Sequence, residues 1–123
     1  MHLQIRTAPA KSPPDLREFL DVIGRAGINI LAAGGSNVEH GGEFALAVAH
    51  EDILAVLEAL TEDGYEPRVV KVATFWMTNS SGQLLEAVAS VASLNAASGK
   101  TIVDVSIGVP DGDGKIPVQI YSR

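Results

Sequence analysis

Apolar residues over the first 77 positions fall into alternating and helical patterns. Leu3 and Ile5 alternate with polar residues, which is typical of a half-buried strand. From Leu16 the apolar positions recur at helical spacing, which predicts an amphipathic helix that ends at Gly27. Two strands, a second helix and a strand over 67–77 follow. The predicted order is therefore β-α-β-β-α-β, the ferredoxin-like split arrangement.

The remaining positions repeat the first part of this order. Apolar residues from Leu84 to Ala92 predict a third helix, and alternation predicts strands over 101–109 and 115–121. We therefore expect an α+β fold, in which a ferredoxin-like βαββαβ unit (residues 1–77) precedes a partial βαββ unit (residues 68–123). Both would form antiparallel sheet with helices on one face. The segment 67–77 is apolar on both sides, so we expect the units to share it as one buried strand.

Composition and charge exclude several kinds of site and partner for a protein with this order of elements. The chain has 123 residues, no cysteine and a net charge of −6. The lack of cysteine excludes disulfides, zinc–thiolate sites and iron–sulfur clusters. Its nine Lys and Arg residues are scattered, so we expect no nucleic-acid partner. No apolar run approaches the ~20 residues of a membrane span and no signal peptide is visible, so we expect a cytoplasmic protein without a membrane partner.

The chain shows no residue pattern typical of catalysis or of metal binding. His2, His40 and His50 share no metal-ligand spacing, and the turn at 111–114 lacks the later Glu of a calcium loop. No P-loop, dinucleotide-binding fingerprint or nucleophile-elbow motif occurs. We therefore expect no enzyme activity, no metal and no cofactor.

Two motifs give the chain a resemblance to the ACT-domain family. Pro13-Pro14-Asp15-Leu16 stands where the family has Pro-Gly-x-Leu at the start of its first helix. Gly27-Ile28-Asn29-Ile30 matches the family's Gly-(Ile/Val)-Asn-(Ile/Val) at the start of the second strand. The segment Asn79 to Leu84 resembles an altered second copy of the helix-opening motif. The whole chain thus resembles a tandem ACT protein whose second unit is truncated.

The resemblance implies a regulatory domain that binds an amino acid or a similar small carboxylate and assembles as a homodimer or higher homo-oligomer. By position, it implies two groups of ligand-binding residues: Lys11, Ser12, Asp15, Asn29 and Ile30 at the first site, and Ser80, Ser81 and Gly82 at the second. The family's Gly is Pro14 here, which removes a backbone N–H donor from the first site. The second site keeps its glycine.

Three functions stay open on the sequence alone. The first is a regulatory module that binds an amino acid at clefts near repeat or subunit interfaces. The second is a structural oligomerisation module with no ligand, which Pro14 favours. The third is a small enzyme on a dimeric ferredoxin-like scaffold. Individual residues are open too. Ser80 also fits an S-x-x-Q helix cap with Gln83, and Trp76 and Met77 fit a pocket, a subunit interface or an ordinary core.

Overall fold

The computed structural model describes residues 3–8, 16–35, 42–78 and 80–123. Over these residues the chain forms strands and α-helices in the predicted order, with a short 3₁₀ turn at His50–Asp52. The elements are β1 (Leu3–Thr7), α1 (Leu16–Arg25), β2 (Ile30–Gly35), β3 (Phe44–Val48), α2 (Ile53–Glu62), β4 (Arg68–Lys71), β5 (Ala73–Met77), α3 (Gln83–Ser98), β6 (Ile102–Ile107) and β7 (Ile116–Ser122).

The strands form two sheets that share one internal order. The first sheet runs β2-β3-β1-β4 and the second runs β5-β7-β6. In the first, β3 pairs antiparallel with β1 and β2, and in the second, β7 pairs antiparallel with β5 and β6. Strands β5, β7 and β6 therefore occupy the positions of β1, β3 and β2. The α+β class and the ferredoxin-like order are confirmed.

The segment 67–77 departs from the predicted shared strand. It forms two short strands, β4 at the edge of the first sheet and β5 at the edge of the second, with a break at Val72. Val69 and Trp76 keep 41% and 47% of their surface exposed, so the segment is not buried on both faces. Apolar residues occupy both faces of the segment before and after the break, and this pattern cannot distinguish one long strand from two short ones. The chain divides within this segment into two compact units, Leu3–Val70 and Lys71–Arg123.

The first unit, Leu3–Val70, buries an aromatic and aliphatic core between its sheet and two helices. Phe19 of α1 stacks on Phe44 of β3 with ring centroids 4.8 Å apart, and Tyr65 meets Phe19 edge-on at 5.7 Å. The buried members are Ile5, Phe19, Val22, Ile23, Phe44, Leu46, Val48, Val56, Leu60 and Tyr65.

The second unit, Lys71–Arg123, has a smaller core because one helix covers its sheet. The buried residues of its apolar core cluster are Ala87 and Val91 of α3 and Val118 and Ile120 of β7. Many large apolar side chains of this unit stay exposed: Trp76, Leu84, Leu85, Leu94, Val103, Val105, Ile107 and Val109. Among the described residues, no helix has both the length and the apolar character that crossing a bilayer requires.

Candidate functional site

The first predicted group of ligand-binding residues is only partly within the described chain. Lys11, Ser12 and Asp15 lie outside the described residues. Asn29 is exposed in the turn between α1 and β2. Ile30 begins β2 opposite Val48 and packs against the core of the first unit. Its contacts are therefore those of a core residue, and a ligand-binding role for Asn29 stays a prediction.

The second predicted group lies in the turn between β5 and α3. Ser80, Ser81 and Gly82 are all exposed, and Gly82 immediately precedes α3 with φ of 85°. A Cβ at Gly82 would meet no atom within 4 Å, so the glycine is required by backbone conformation and not by space. L-residues with side chains rarely adopt this left-handed region.

The hydrogen bonds of this turn differ from the predicted capping box. The helix begins at Gln83, no side chain caps it, and Ser80 lies two residues before the N-cap Gly82. The Gln83 side-chain oxygen instead accepts the Thr78 N–H at 3.0 Å, and the hydroxyls of Thr78 and Ser80 lie 3.2 Å apart. The S-x-x-Q prediction is wrong because the left-handed Gly82 delays the start of the helix beyond the position that the pattern assumes.

The late helix start leaves hydrogen-bond donors exposed at the N-terminus of α3. The Glu86 N–H makes the first helical bond, to the Gly82 carbonyl at 3.0 Å. Among the described residues, nothing accepts the N–H groups of Leu84 and Leu85. Unpaired first-turn N–H groups and the helix dipole together favour an anion.

A cavity of about 300 Å³ adjoins this turn, and we call it the α3 cavity. Its lining comes from β5, an edge strand, and from the first half of α3: Phe75, Trp76, Met77, Gln83, Glu86, Ala87 and Ser90. Gln83 follows Gly82 directly, so the turn borders the cavity. Trp76 and Met77, which the sequence left between pocket and core, both line it. The volume lies at the lower end of the range for small-molecule sites.

The α3 cavity combines an apolar wall with a single charged side chain. Phe75, Met77 and Ala87 belong to or pack against the core of the second unit. Glu86 is exposed one helical turn into α3 and supplies the negative charge. The Ser90 hydroxyl donates to the Glu86 carbonyl at 2.9 Å, and its oxygen is left to accept a further bond. The cavity thus presents a carboxylate and an apolar surface, and the unpaired N–H groups of Leu84 and Leu85 lie in the first turn of the helix that lines it.

Sequence reasoning missed Glu86, Phe75, Ala87 and Ser90 as cavity residues. Their helical and alternating spacing indicates which side of α3 and β5 faces inward. It does not indicate where neighbouring elements fail to fill the space on that side and leave a cavity. Within the residues that the structure describes, no group of His, Asp and Glu is arranged to hold a metal ion.

A charged cluster in the first unit was also missed. The carboxylate of Glu43, just before β3, forms two ion pairs. One oxygen lies 2.7 Å from the Arg6 Nε and the other lies 3.0 Å from the Arg68 guanidinium. Arg6 is 1% exposed and also donates to the Gln4 side-chain oxygen at 2.6 Å. Partial burial raises the pKa of Glu43, but the hydrogen bonds and charges of Arg68 and Arg6 together outweigh it and hold the pKa below 4.5, the ordinary value. These charges satisfy one another, so we interpret the cluster as structural.

Comparison with known proteins gives matches in fold only. No protein-family model matches the chain, and no curated protein matches it in sequence. Protein BT0572 from Bacteroides thetaiotaomicron is 19% identical with a TM-score of 0.69, over 98% of this chain and 78% of that one. The regulatory subunit of aspartate kinase from Thermus thermophilus, in its ligand-free form, is 18% identical with a TM-score of 0.61, over 97% of this chain and 82% of that one.

The same regulatory subunit from Thermus flavus is 20% identical with a TM-score of 0.60, again over 97% of this chain and 82% of that one. At such low identity the likeness establishes the fold. The α+β fold is therefore shared with these regulatory subunits, and membership of the ACT-domain family stays a prediction.

Proposed function

We propose that this chain is a regulatory module that binds a free α-amino acid in the α3 cavity and has no enzyme activity of its own. The observation that carries the proposal is a cavity with a carboxylate and an apolar wall, next to a helix N-terminus whose N–H groups at Leu84 and Leu85 are unpaired among the described residues. These three features match the three parts of an α-amino acid. The regulatory aspartate kinase subunits of the same fold support a regulatory role.

Each part of the ligand has a partner in this proposal. The ligand carboxylate accepts from the N–H groups of Leu84 and Leu85, with the hydroxyls of Ser80 and Ser81 as further donors. The ligand ammonium group pairs with Glu86. The ligand side chain contacts Phe75 and Met77, and the volume of about 300 Å³ favours a small or medium side chain.

Regulation follows from ligand contacts that join the turn between β5 and α3 to Glu86. A ligand that contacts both the turn and Glu86 favours the conformations in which they are correctly spaced, and thereby shifts the population of states. We further infer that the module works in the cytoplasm as a homodimer or higher homo-oligomer. The exposed apolar side chains of the second unit, such as Val105 and Ile107, support contact with another copy.

Thermal denaturation in the presence of each proteinogenic amino acid tests the proposal. A ligand at about 100 times its dissociation constant should add roughly 2.7 kcal/mol of stability, which raises Tm by several degrees. Glu86→Gln keeps the size of the side chain but removes its charge, so it should abolish the rise. Glu66→Gln removes an exposed charge outside the cavity and should leave the rise intact.

Two results would contradict the proposal. If no amino acid raises Tm, the chain is not a sensor for this class of ligand. In that case an oligomer in sedimentation experiments would favour the structural module, and a monomer would contradict the assembly as well. If Glu86→Gln retains full binding, the ligand lies elsewhere.

A further inference from the structure

A second cavity lies at the other end of α3, and its lining carries the opposite charge. It has a volume of about 230 Å³ and lies in the second unit, where the end of α3 meets β5 and β7. We call it the lysine cavity, and its lining includes Lys71, Val91, Leu94, Asn95, Lys100 and Ile120. No lining residue is acidic, whereas the charged residue of the α3 cavity is a glutamate.

The two lysines give the lysine cavity its charge. Lys71 ends β4, one residue before β5 begins, and Lys100 follows the left-handed Gly99 that ends α3. Both are exposed, and among the described residues neither forms an ion pair. The chain has a net charge of −6 and four lysines, so two unpaired lysines at one cavity form a local positive field against the overall charge.

Asn95 provides the second and independent indication of a ligand. It is 8% exposed, yet its side chain lines the cavity. Its Nδ2 donates to the Ser122 hydroxyl at 2.8 Å, which holds the side chain against β7. Within the described chain its Oδ1 has no partner, and this oxygen is not sealed from solvent. A buried side chain with an open acceptor in a cavity is a site for a hydrogen-bond donor.

We propose that the lysine cavity binds a small α-hydroxy carboxylate. The ligand carboxylate pairs with Lys71 and Lys100, and its hydroxyl donates to the Asn95 Oδ1. An amino acid is disfavoured here because its ammonium group would lie beside two lysine ammonium groups with no carboxylate to compensate. Val91, Leu94 and Ile120 offer an apolar surface to a short aliphatic chain and nothing to a free inorganic oxyanion.

Calorimetric titration of the full chain tests this site with four probes of similar size or charge. We expect α-hydroxyisovalerate to bind, isovalerate to bind about fivefold more weakly because it lacks the hydroxyl, and valine and inorganic phosphate to bind far more weakly. Equal affinity for valine would overturn the proposal, because it would show that the two lysines do not disfavour a ligand with an ammonium group. Equal affinity for phosphate would assign the site to inorganic anions and would overturn the assignment to a carboxylate.

Matched charge variants separate this site from the general charge of the protein. Lys71→Gln and Lys100→Gln should each weaken α-hydroxyisovalerate binding roughly tenfold. Lys115→Gln makes the same change in the exposed turn before β7 and should have no effect. An equal loss in Lys115→Gln would overturn the proposal. Asn95→Ala should weaken binding of the hydroxy acid but not of isovalerate, and the exposed lysine variants keep the test decisive if Asn95→Ala does not fold.

The Glu86→Gln variant makes this test independent of the proposed function. The hydroxy acid should bind Glu86→Gln as it binds the unmodified chain, whether or not amino acids bind the α3 cavity. Amide chemical shifts should change around Asn95, Lys100 and Ser122 and not around Ser80 to Glu86. Changes confined to the latter segment would show that the hydroxy acid enters the α3 cavity, and the lysine site would then be rejected.

Discussion

The two units of the chain share one strand order but differ in how completely that order is covered. Ten described residues form the buried core of the first unit, and three of them are aromatic. Four form that of the second unit, and none is aromatic. The first sheet has two helices packed on it and the second has one. The difference shows that alternation specifies how strands pair, whereas the number of covering helices decides what is buried and where cavities remain.

The largest expected difference between the units is in the cost of removing a core side chain. Phe19→Ala removes a ring that contacts both Phe44 and Tyr65, and should lower the free energy of unfolding by about 3–5 kcal/mol. Val91→Ala in the second unit should cost about 1.5 kcal/mol, because it removes less area from a smaller core. Urea denaturation followed by far-ultraviolet circular dichroism measures both.

The exposed Leu54→Ala serves as the control for these core variants and should change stability by no more than about 0.5 kcal/mol. A loss in Val91→Ala as large as that in Phe19→Ala would contradict the comparison. It would mean that the second core is as tightly packed as the first.

The charged cluster gives the first unit a pH dependence of its own. Because the pKa of Glu43 is lowered by folding, its carboxylate stabilises the folded state above pH 4.5, the ordinary pKa. This contribution is lost as the pH falls through the lowered folded value. Glu43→Gln should cost about 2 kcal/mol at neutral pH, since it leaves the buried Arg6 without its carboxylate while Arg68 remains partly solvated.

Stability measured from pH 7 to pH 3 tests this expectation. The unmodified chain should lose more stability than Glu43→Gln on acidification, so the two curves should converge at low pH. The exposed Glu66→Gln provides the matched control and should follow the unmodified chain. Parallel curves for Glu43→Gln and the unmodified chain would contradict the role assigned to the cluster.

The smallest expected effects concern one glycine in each unit, and they have opposite signs. Gly24→Ala in α1 should stabilise by about 0.5–1 kcal/mol, since its Cβ meets no atom within 4 Å and alanine favours a helix. Gly82→Ala should destabilise by about 1 kcal/mol, because its φ of 85° is strained for alanine. Thermal denaturation measures both, and a gain in stability from Gly82→Ala would show that the turn before α3 relaxes to another conformation.

The order of the elements could be predicted because it depends on local periodicity. Leu3 and Ile5 alternate in a strand, and Phe19 and Ile23 repeat in a helix, without reference to the rest of the chain. The break at Val72 could not be predicted, because the segment is apolar on both faces before and after it. The start of α3 was misjudged for a related reason: hydroxyl and amide residues indicate a cap, but the left-handed Gly82 determines where the helix begins.

The candidate sites depend on contacts between distant positions, and these contacts left little trace in the sequence. Arg6 and Glu43 are separated by 37 positions, and Asn95 and Ser122 by 27. Ser80 to Gly82 could be selected from the motif because they form a local turn. Glu86 and Lys71 could not be selected from the sequence. A cavity forms where side chains from neighbouring elements do not fill the space between them, and no single residue indicates such a place.

Trp76 gives the second unit an intrinsic optical label. It is the one tryptophan of the chain, and it combines partial exposure with a position in the wall of the α3 cavity. An indole that exchanges water for a bound molecule emits at shorter wavelength, so occupancy of this cavity should be visible in fluorescence without a dye. The tyrosine of the first-unit core, Tyr65, can be avoided by excitation at the red edge of the absorption band. The emission spectrum would then report on the second unit by itself.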